Sequence, residues 1–178
     1  MSKLNENKMR NEIMMLALDM INNAKSGHPG IVLSSGTIMY TLFANHLNYD
    51  LDRPDYCNRD RFILSAGHGS ALLYSTLFAC TNTFDIDDLK RFRKLNSPCP
   101  GHPEYDISHR IEATTGPLGQ GIANAVGMAM AEKYLEARFN SKKNTLFDYK
   151  VYCLCGEGDL MEGISYEACS LAGTLELN

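Results

Sequence analysis

The sequence contains no run of apolar residues near the ~20 needed to cross a bilayer, so no helical membrane span is expected. The opening segment MSKLNENKMR is polar and lacks the apolar core of a secretory leader. Together these lead to the expectation of a cytoplasmic protein with no membrane partner. Acids and bases are interspersed and the net charge is −4, which speaks against a nucleic-acid-binding surface. None of the six cysteines forms a CxxC pair. Cys153 and Cys155 alternate along an apparent strand and share a face. The simplest reading is buried, reduced thiols rather than a disulfide framework. There is no tryptophan, no internal repeat and no low-complexity segment. At 178 residues, 44% hydrophobic and 21% charged, the chain has the composition of one ordinary globular domain with a sizeable core.

Periodicity then orders the chain. Met9, Ile13, Leu16, Ala17, Met20, Ile21 and Ala24 recur at helical spacing and predict a helix over 8–25. Ser26-Gly27-His28-Pro29-Gly30 breaks it, and a second helix is expected over 33–47. Arg61 to Ser65 is a short strand candidate, closed by Gly67-His68-Gly69. Ser70 to Ala79 reads as a buried helix and Phe84 to Leu95 as a charged amphipathic one. Residues 96–115 lack periodicity and contain Pro98, Pro100, Gly101 and Pro103, the mark of a long loop that is either functional or disordered. Gly116 to Gly121 opens a helix reaching about Phe139, whose Gly- and Ala-rich first half suits close approach to another backbone. Tyr149 to Cys155 is the best strand, continuous and apolar as for a strand covered on both faces. A last helix is expected over 163–175. Helices alternating with a few apolar strands predict an α/β fold, a parallel sheet flanked by helices.

Three histidines stand on glycine- or proline-bounded turns. Gly67-His68-Gly69 lies between a strand and a helix, where free N–H groups and the helix dipole suit a phosphate. Taken alone, a plain glycine turn explains it as well. His28 and His102 each stand between Gly and Pro, which displays the imidazole on a defined loop. Such an imidazole can pass protons or hydrogen-bond hydroxyls. Zinc, with Cys99, is a weaker use because no CxxC or HxxxH partner exists. Gly156-Glu157-Gly158-Asp159 follows the last strand. A carboxylate on a glycine turn at a strand's carboxyl end is where open α/β sheets bind ligands, and hard oxygen donors suit Mg²⁺. A solvated acidic turn is the alternative, and the spacing does not fit a dinucleotide fingerprint.

Taken in order, SGHPG, RDRFILSAGHGSALLYS, PGHPE, ATTGPLGQGIANAVGMAMAEK and GEGDLMEGISYEACSLAGTL closely resemble the transketolase family. The resemblance covers roughly residues 9–177, and about the first quarter of a full transketolase subunit. It implies a thiamine diphosphate-binding fold and transfer of a two-carbon ketol unit between sugar phosphates, within the pentose phosphate pathway. It implies thiamine diphosphate and a divalent cation, Mg²⁺ or Ca²⁺, as cofactors. It further implies that His68 contacts the diphosphate and that Gly116 and Leu118 line the cofactor. His28 and His102 would act on substrate hydroxyl protons, as catalytic residues. Gly156 and Gly158 would lie against the diphosphate, and Glu157 would take the place of the metal-binding aspartate. Glu162 matches a glutamate of a carboxylate network linking the two sites of a dimer.

Two departures matter. The family signature is GDG, and here it is GEG: Glu157 carries its carboxylate one methylene further, while Mg²⁺ demands near-octahedral geometry at ~2.1 Å. A larger ion or an adjusted backbone would accommodate it. The second metal-binding residue of the family, an asparagine, has no match before Asn178, nor do the later strands or the pyrimidine-binding domain. Residues 1–178 are therefore expected to be the N-terminal portion of an apparently truncated diphosphate-binding domain. It would be inactive and prone to self-association alone, and completed by a complementary transketolase chain or a homodimer. The alternative is a non-catalytic, degenerate relative that serves as a binding or assembly module. A metal-dependent hydrolase built on His28, His68, His102 and Glu157 has no supporting ligand spacing.

Overall fold

In the computed structural model, which describes residues 3–177, the first apolar stripe becomes α1, Lys3–Ala24. Its core positions Ile13, Ala17 and Met20 are buried. The helix gives way at Lys25, which takes the left-handed conformation (φ 54°). Helix α2, Pro29–Asn45, starts before the expected residue 33 because His28 caps it and Pro29 occupies its first turn. There proline's fixed φ is already helical and its missing N–H is no loss. Helix α3, Ser70–Thr81, packs on α1 and α2 and is buried at every residue from Ser70 to Leu77. It ends at Asn82 in a left-handed cap (φ 56°).

The expected amphipathic helix over 84–95 is a correction. Only α4, Ile86–Lys90, is helical. Asp85 starts it with a capping box, accepting from the Asp87 and Asp88 N–H groups while Asp88 accepts from the Asp85 N–H. It stops because Arg93 and Asn96 turn left-handed, and the Arg93 N–H donates to the Cys99 carbonyl (2.9 Å) instead of extending the helix. The apolar positions that mimic a longer helix are buried all the same: Phe84 and Phe92 pack around Tyr74, with ring centroids 5.5 and 6.2 Å away. Helices α1 to α4 belong to one compact unit, comprising the described residues up to Leu47 together with His68–Pro103.

The second unit, Asn48–Gly67 and the described residues from Glu104 onward, holds the sheet. Strands β1, Arg61–Leu64, and β2, Val151–Leu154, pair in parallel with Arg61 opposite Val151 and Leu64 opposite Leu154. The α/β class with a parallel sheet therefore stands. The expected full cover of the last strand does not: β1 is almost wholly buried, but every residue of β2 is half-buried. Among the described residues β2 is hydrogen-bonded along one edge only, to β1. Helix α5, Gln120–Phe139, packs on both strands, and α7, Gly163–Thr174, packs on α5. The glycine-rich start of α5 permits this approach: a Cβ at Gly121 would stand 2.4 Å from the Ser65 Cα. A one-turn helix, α6, Glu157–Leu160, follows β2.

The loop 96–115 is ordered rather than slack. Its second half carries a 3₁₀ turn, Ile107–His109, closed by a bridge between Asp106 and Ile111. Glu112 then forms a two-pronged pair with Arg59, at 3.0 and 2.8 Å, both side chains buried. All six cysteines are free. Buried thiols were expected, but only Cys99 is fully so, while Cys57 and Cys169 are exposed. Burial pushes the Cys80 thiol up to about 11 and those of Cys99 and Cys153 up to about 12. No described helix is long and apolar enough to cross a membrane.

The approach of α5 to β1 is testable. Gly121→Ala forces a methyl group against the Ser65 backbone and is expected to destabilise the chain by about 1–3 kcal/mol in urea denaturation. Gly127 lies on the same helix with open space around it. Gly127→Ala is expected to be neutral or to stabilise by up to about 1 kcal/mol.

Candidate functional site

The histidine loops belong to the first unit. His28 is exposed and ends the Ser26-Gly27 turn as the cap of α2. His68 is half-buried in the 3₁₀ turn Gly67–Gly69 that leads into α3. The two rings meet edge to face, with centroids 5.1 Å apart. The loop bearing His102 is pinned from α3: the Tyr74 hydroxyl donates to the Pro100 carbonyl (3.0 Å), and the Ser70 hydroxyl to the Gly101 carbonyl (2.8 Å). His102 keeps an exposed face. Partial desolvation, then the Arg93 guanidinium, then His28 all lower its pKa below the ordinary histidine value. Each disfavours the charged ring, so His102 is a neutral imidazole at neutral pH, able to accept a proton or a hydrogen bond. The structure thus brings His28, His68 and His102 into one neighbourhood. The other histidines lie apart: His46 closes α2, and His109 pairs with Asp106 (2.6 Å) in the loop.

The glycine turns and carboxylates belong to the second unit. They gather where the parallel strands end, and Asp159 organises them. This side chain is fully buried. Its Oδ1 accepts from the Ser65 hydroxyl (2.8 Å), just past β1, and from the Gly119 N–H (3.0 Å), at the start of α5. Its Oδ2 accepts from the Gly156 N–H (2.9 Å), just past β2. The Asp159 carbonyl in turn receives the Ser165 hydroxyl from α7. One carboxylate therefore joins three turns.

The same geometry collects the expected cofactor residues. The Leu118 side chain lies against Gly158, 3.4 Å from where a Cβ would be. Gly116 lies against Gly67, and the Thr115 hydroxyl donates to the Leu64 carbonyl (2.7 Å). Gly119 adopts φ +79°, and a Cβ there would strike Ser165, Glu162 and Ile164 within 2.9 Å, so no larger residue fits. Gly156 and Gly158 remain half-exposed, and Glu157 and Glu162 are exposed at the starts of α6 and α7.

For metals the donor set is sparse. Among the described residues no three His, Cys, Asp or Glu side chains are grouped to hold an ion. Two residues that matter structurally carry little sequence signal. Asp159 reads only as the second acid of an acidic turn. Arg93 reads only as one charge on an expected amphipathic helix, yet it bridges two histidine loops.

Asp159→Ala would leave the buried Gly119 N–H and Ser65 hydroxyl and the half-buried Gly156 N–H without their acceptor. At about 1–3 kcal/mol for each unsatisfied group, an overall loss of at least ~3 kcal/mol is expected in urea denaturation. Asp159→Asn keeps one acceptor oxygen and is expected to lose less.

The sequence pattern described as "Transketolase, thiamine diphosphate binding domain" matches residues 5–178. Transketolase 2 of Aliivibrio fischeri is 52% identical over 174 residues, covering 98% of this chain and 26% of that protein. Transketolase of Aquifex aeolicus is 52% identical over 168 residues, covering 94% of this chain and 24% of its own length. Among solved structures, transketolase from Leishmania mexicana superposes with a TM-score of 0.89 at 44% identity, over 94% of this chain and 25% of the other. That from Campylobacter jejuni gives 0.88 at 47% identity, over 98% and 27%. The chain thus spans about a quarter of the length of these relatives. With the family pattern matched from residue 5 to residue 178 and the same fold in its solved relatives, this chain belongs to the transketolase family.

Proposed function

We propose that this chain carries the diphosphate-holding portion of a transketolase-type ketol-transfer site, which a complementary transketolase chain or a second copy completes. The observation that carries this reading is the Asp159 network, which holds the Gly119 and Gly156 turns at the carboxyl ends of two parallel strands. That is the position at which open α/β sheets take ligands. The fit to thiamine diphosphate rests on bare, accessible glycine backbone at Gly156 and Gly158, with the Leu118 side chain beside it.

In this reading Gly116 and Leu118 line the cofactor, Gly156 and Gly158 let the diphosphate approach, and His68 donates to it. Glu157 would hold the divalent cation, Mg²⁺ or the larger Ca²⁺, through one carboxylate. That agrees with the way Mg²⁺ takes one or two carboxylates plus phosphate oxygens. When bound, thiamine diphosphate supplies the nucleophilic carbon and the electron sink for breaking a ketose carbon–carbon bond. His28 and His102 hydrogen-bond the sugar-phosphate hydroxyls, and neutral His102 accepts and returns a hydroxyl proton. Glu162 belongs to the surface that meets the partner chain. The working compartment is the cytoplasm. The Glu157 substitution favours a second reading, a degenerate relative kept as a non-catalytic binding or assembly module.

Mixing separates the two. The chain is combined with the remainder of a close transketolase relative, expressed as a separate polypeptide, and transfer from xylulose 5-phosphate to ribose 5-phosphate is followed with thiamine diphosphate and Mg²⁺. Turnover is expected in the mixture and not with the chain alone. A stable but inactive complex would reject ketol transfer and favour the assembly reading. In the active mixture, Glu157→Asp is expected to tighten Mg²⁺ binding roughly tenfold, about 1.4 kcal/mol, in calorimetric titration. Unchanged affinity would remove the role given to the extra methylene.

A further inference from the structure

Arg93 stands at an unusual place in the first unit. It is a non-glycine residue held at φ +61°, a conformation that costs about 1–2 kcal/mol. The Arg93 N–H is fixed by the Cys99 carbonyl (2.9 Å), which closes the turn over residues 93–99. From this strained backbone the guanidinium reaches two separate loops. One Nη donates to the Ser26 hydroxyl (2.8 Å), and the other lies 3.5 Å from the Gly101 carbonyl. Gly101 permits the guanidinium to lie flat, since a Cβ there would stand 3.3 Å from Nε and 3.4 Å from Cζ. The Nε is itself buried and makes no hydrogen bond among the described residues.

The two loops so joined are those that end in His28 and His102. Each has its own anchor. Ser26 donates its N–H to the Ile21 carbonyl at the end of α1, and Gly101 accepts from Ser70 of α3. Arg93 is the side chain that touches both. We propose that Arg93 is a positioning residue, a clamp that fixes the Ser26–His28 loop against the Pro100–His102 loop and so sets the separation of the two imidazoles. The catalytic meaning of the clamp rests on the ketol-transfer reading above, whereas the clamp itself does not. The groups bearing electrostatically on His102 are Arg93 and His28. His68 stands edge to face with His28. Arg93 therefore also adds positive charge beside an imidazole that works as a neutral acceptor.

Histidine NMR on the whole 178-residue chain without cofactor tests the clamp, and its outcome is independent of whether ketol transfer occurs. Imidazole Cε1–H signals, assigned by single His→Gln variants, are followed across neutral pH. In Arg93→Met the His102 midpoint is expected to move up toward the ordinary histidine value, and the His28 signal is expected to shift as well. Arg93→Lys keeps the charge but loses the planar fork. Its His102 midpoint is expected to stay low while both the His28 and His102 signals shift. If Arg93→Met does not fold by circular dichroism, Arg93→Lys alone carries the test. Unchanged signals from both histidines in a folded variant would overturn the proposal. So would changes confined to His102, which would leave Arg93 a neighbouring charge and nothing more.

Discussion

The turns at the ends of the parallel strands in the second unit depend on one buried carboxylate. Asp159 accepts from Ser65, Gly119 and Gly156 at once, and so ties the end of β1, the start of α5 and the end of β2 into a single corner. A carboxylate tolerates full burial only when its lone pairs are met. Here two backbone N–H groups and a hydroxyl meet them. One of those N–H groups opens the 20-residue helix α5, whose positive dipole end favours a negative charge at that point. The glycines around Asp159 follow from the same constraint. Gly119 and Gly121 have no room for a Cβ because the corner is closed so tightly. The turns at Gly156 and Gly158 keep their backbone accessible because Asp159 folds inward beneath them.

The first unit solves a different problem with a cation. Two loops that end in histidines must be held without a sheet to register them. Tyr74 and Ser70 pin one loop, the α1 terminus pins the other, and Arg93 spans both. The arrangement leaves His28 and His102 exposed. It also makes His102 a weaker base than a free imidazole, through desolvation, Arg93 and His28 in that order. Elsewhere the buried Arg59–Glu112 pair fixes the loop approaching Thr115 to the segment two residues before β1. Such a pair specifies a geometry more surely than it adds stability.

Family membership narrows what these corners serve. Relatives at 52% identity carry the name transketolase, and the fold matches at TM-scores near 0.89. The chain matches about a quarter of their length. Glu157 lies on an exposed turn at the start of α6.

The sequence by itself determined the order of the longer helices and the two strands, the parallel α/β class and the family. Each rests on local or ordered signals: the stripe of α1, the apolar run of β2, the small residues of α5, and five motifs in sequence. It also marked His28, His68 and His102 as displayed histidines, since Gly and Pro beside an imidazole are readable without a fold. It overextended α4, because Phe84 and Phe92 prolong the apolar pattern while lying outside the helix and packing around Tyr74. It overstated the cover on β2, because how many faces of a strand are buried depends on what packs there. The roles of Asp159 and Arg93 were decided only by the tertiary structure. Their partners lie 94 and 67 positions away, at Ser65 and Ser26. A side chain's periodicity reports its own helix or strand, and nothing in it encodes which distant loop will come within hydrogen-bonding reach.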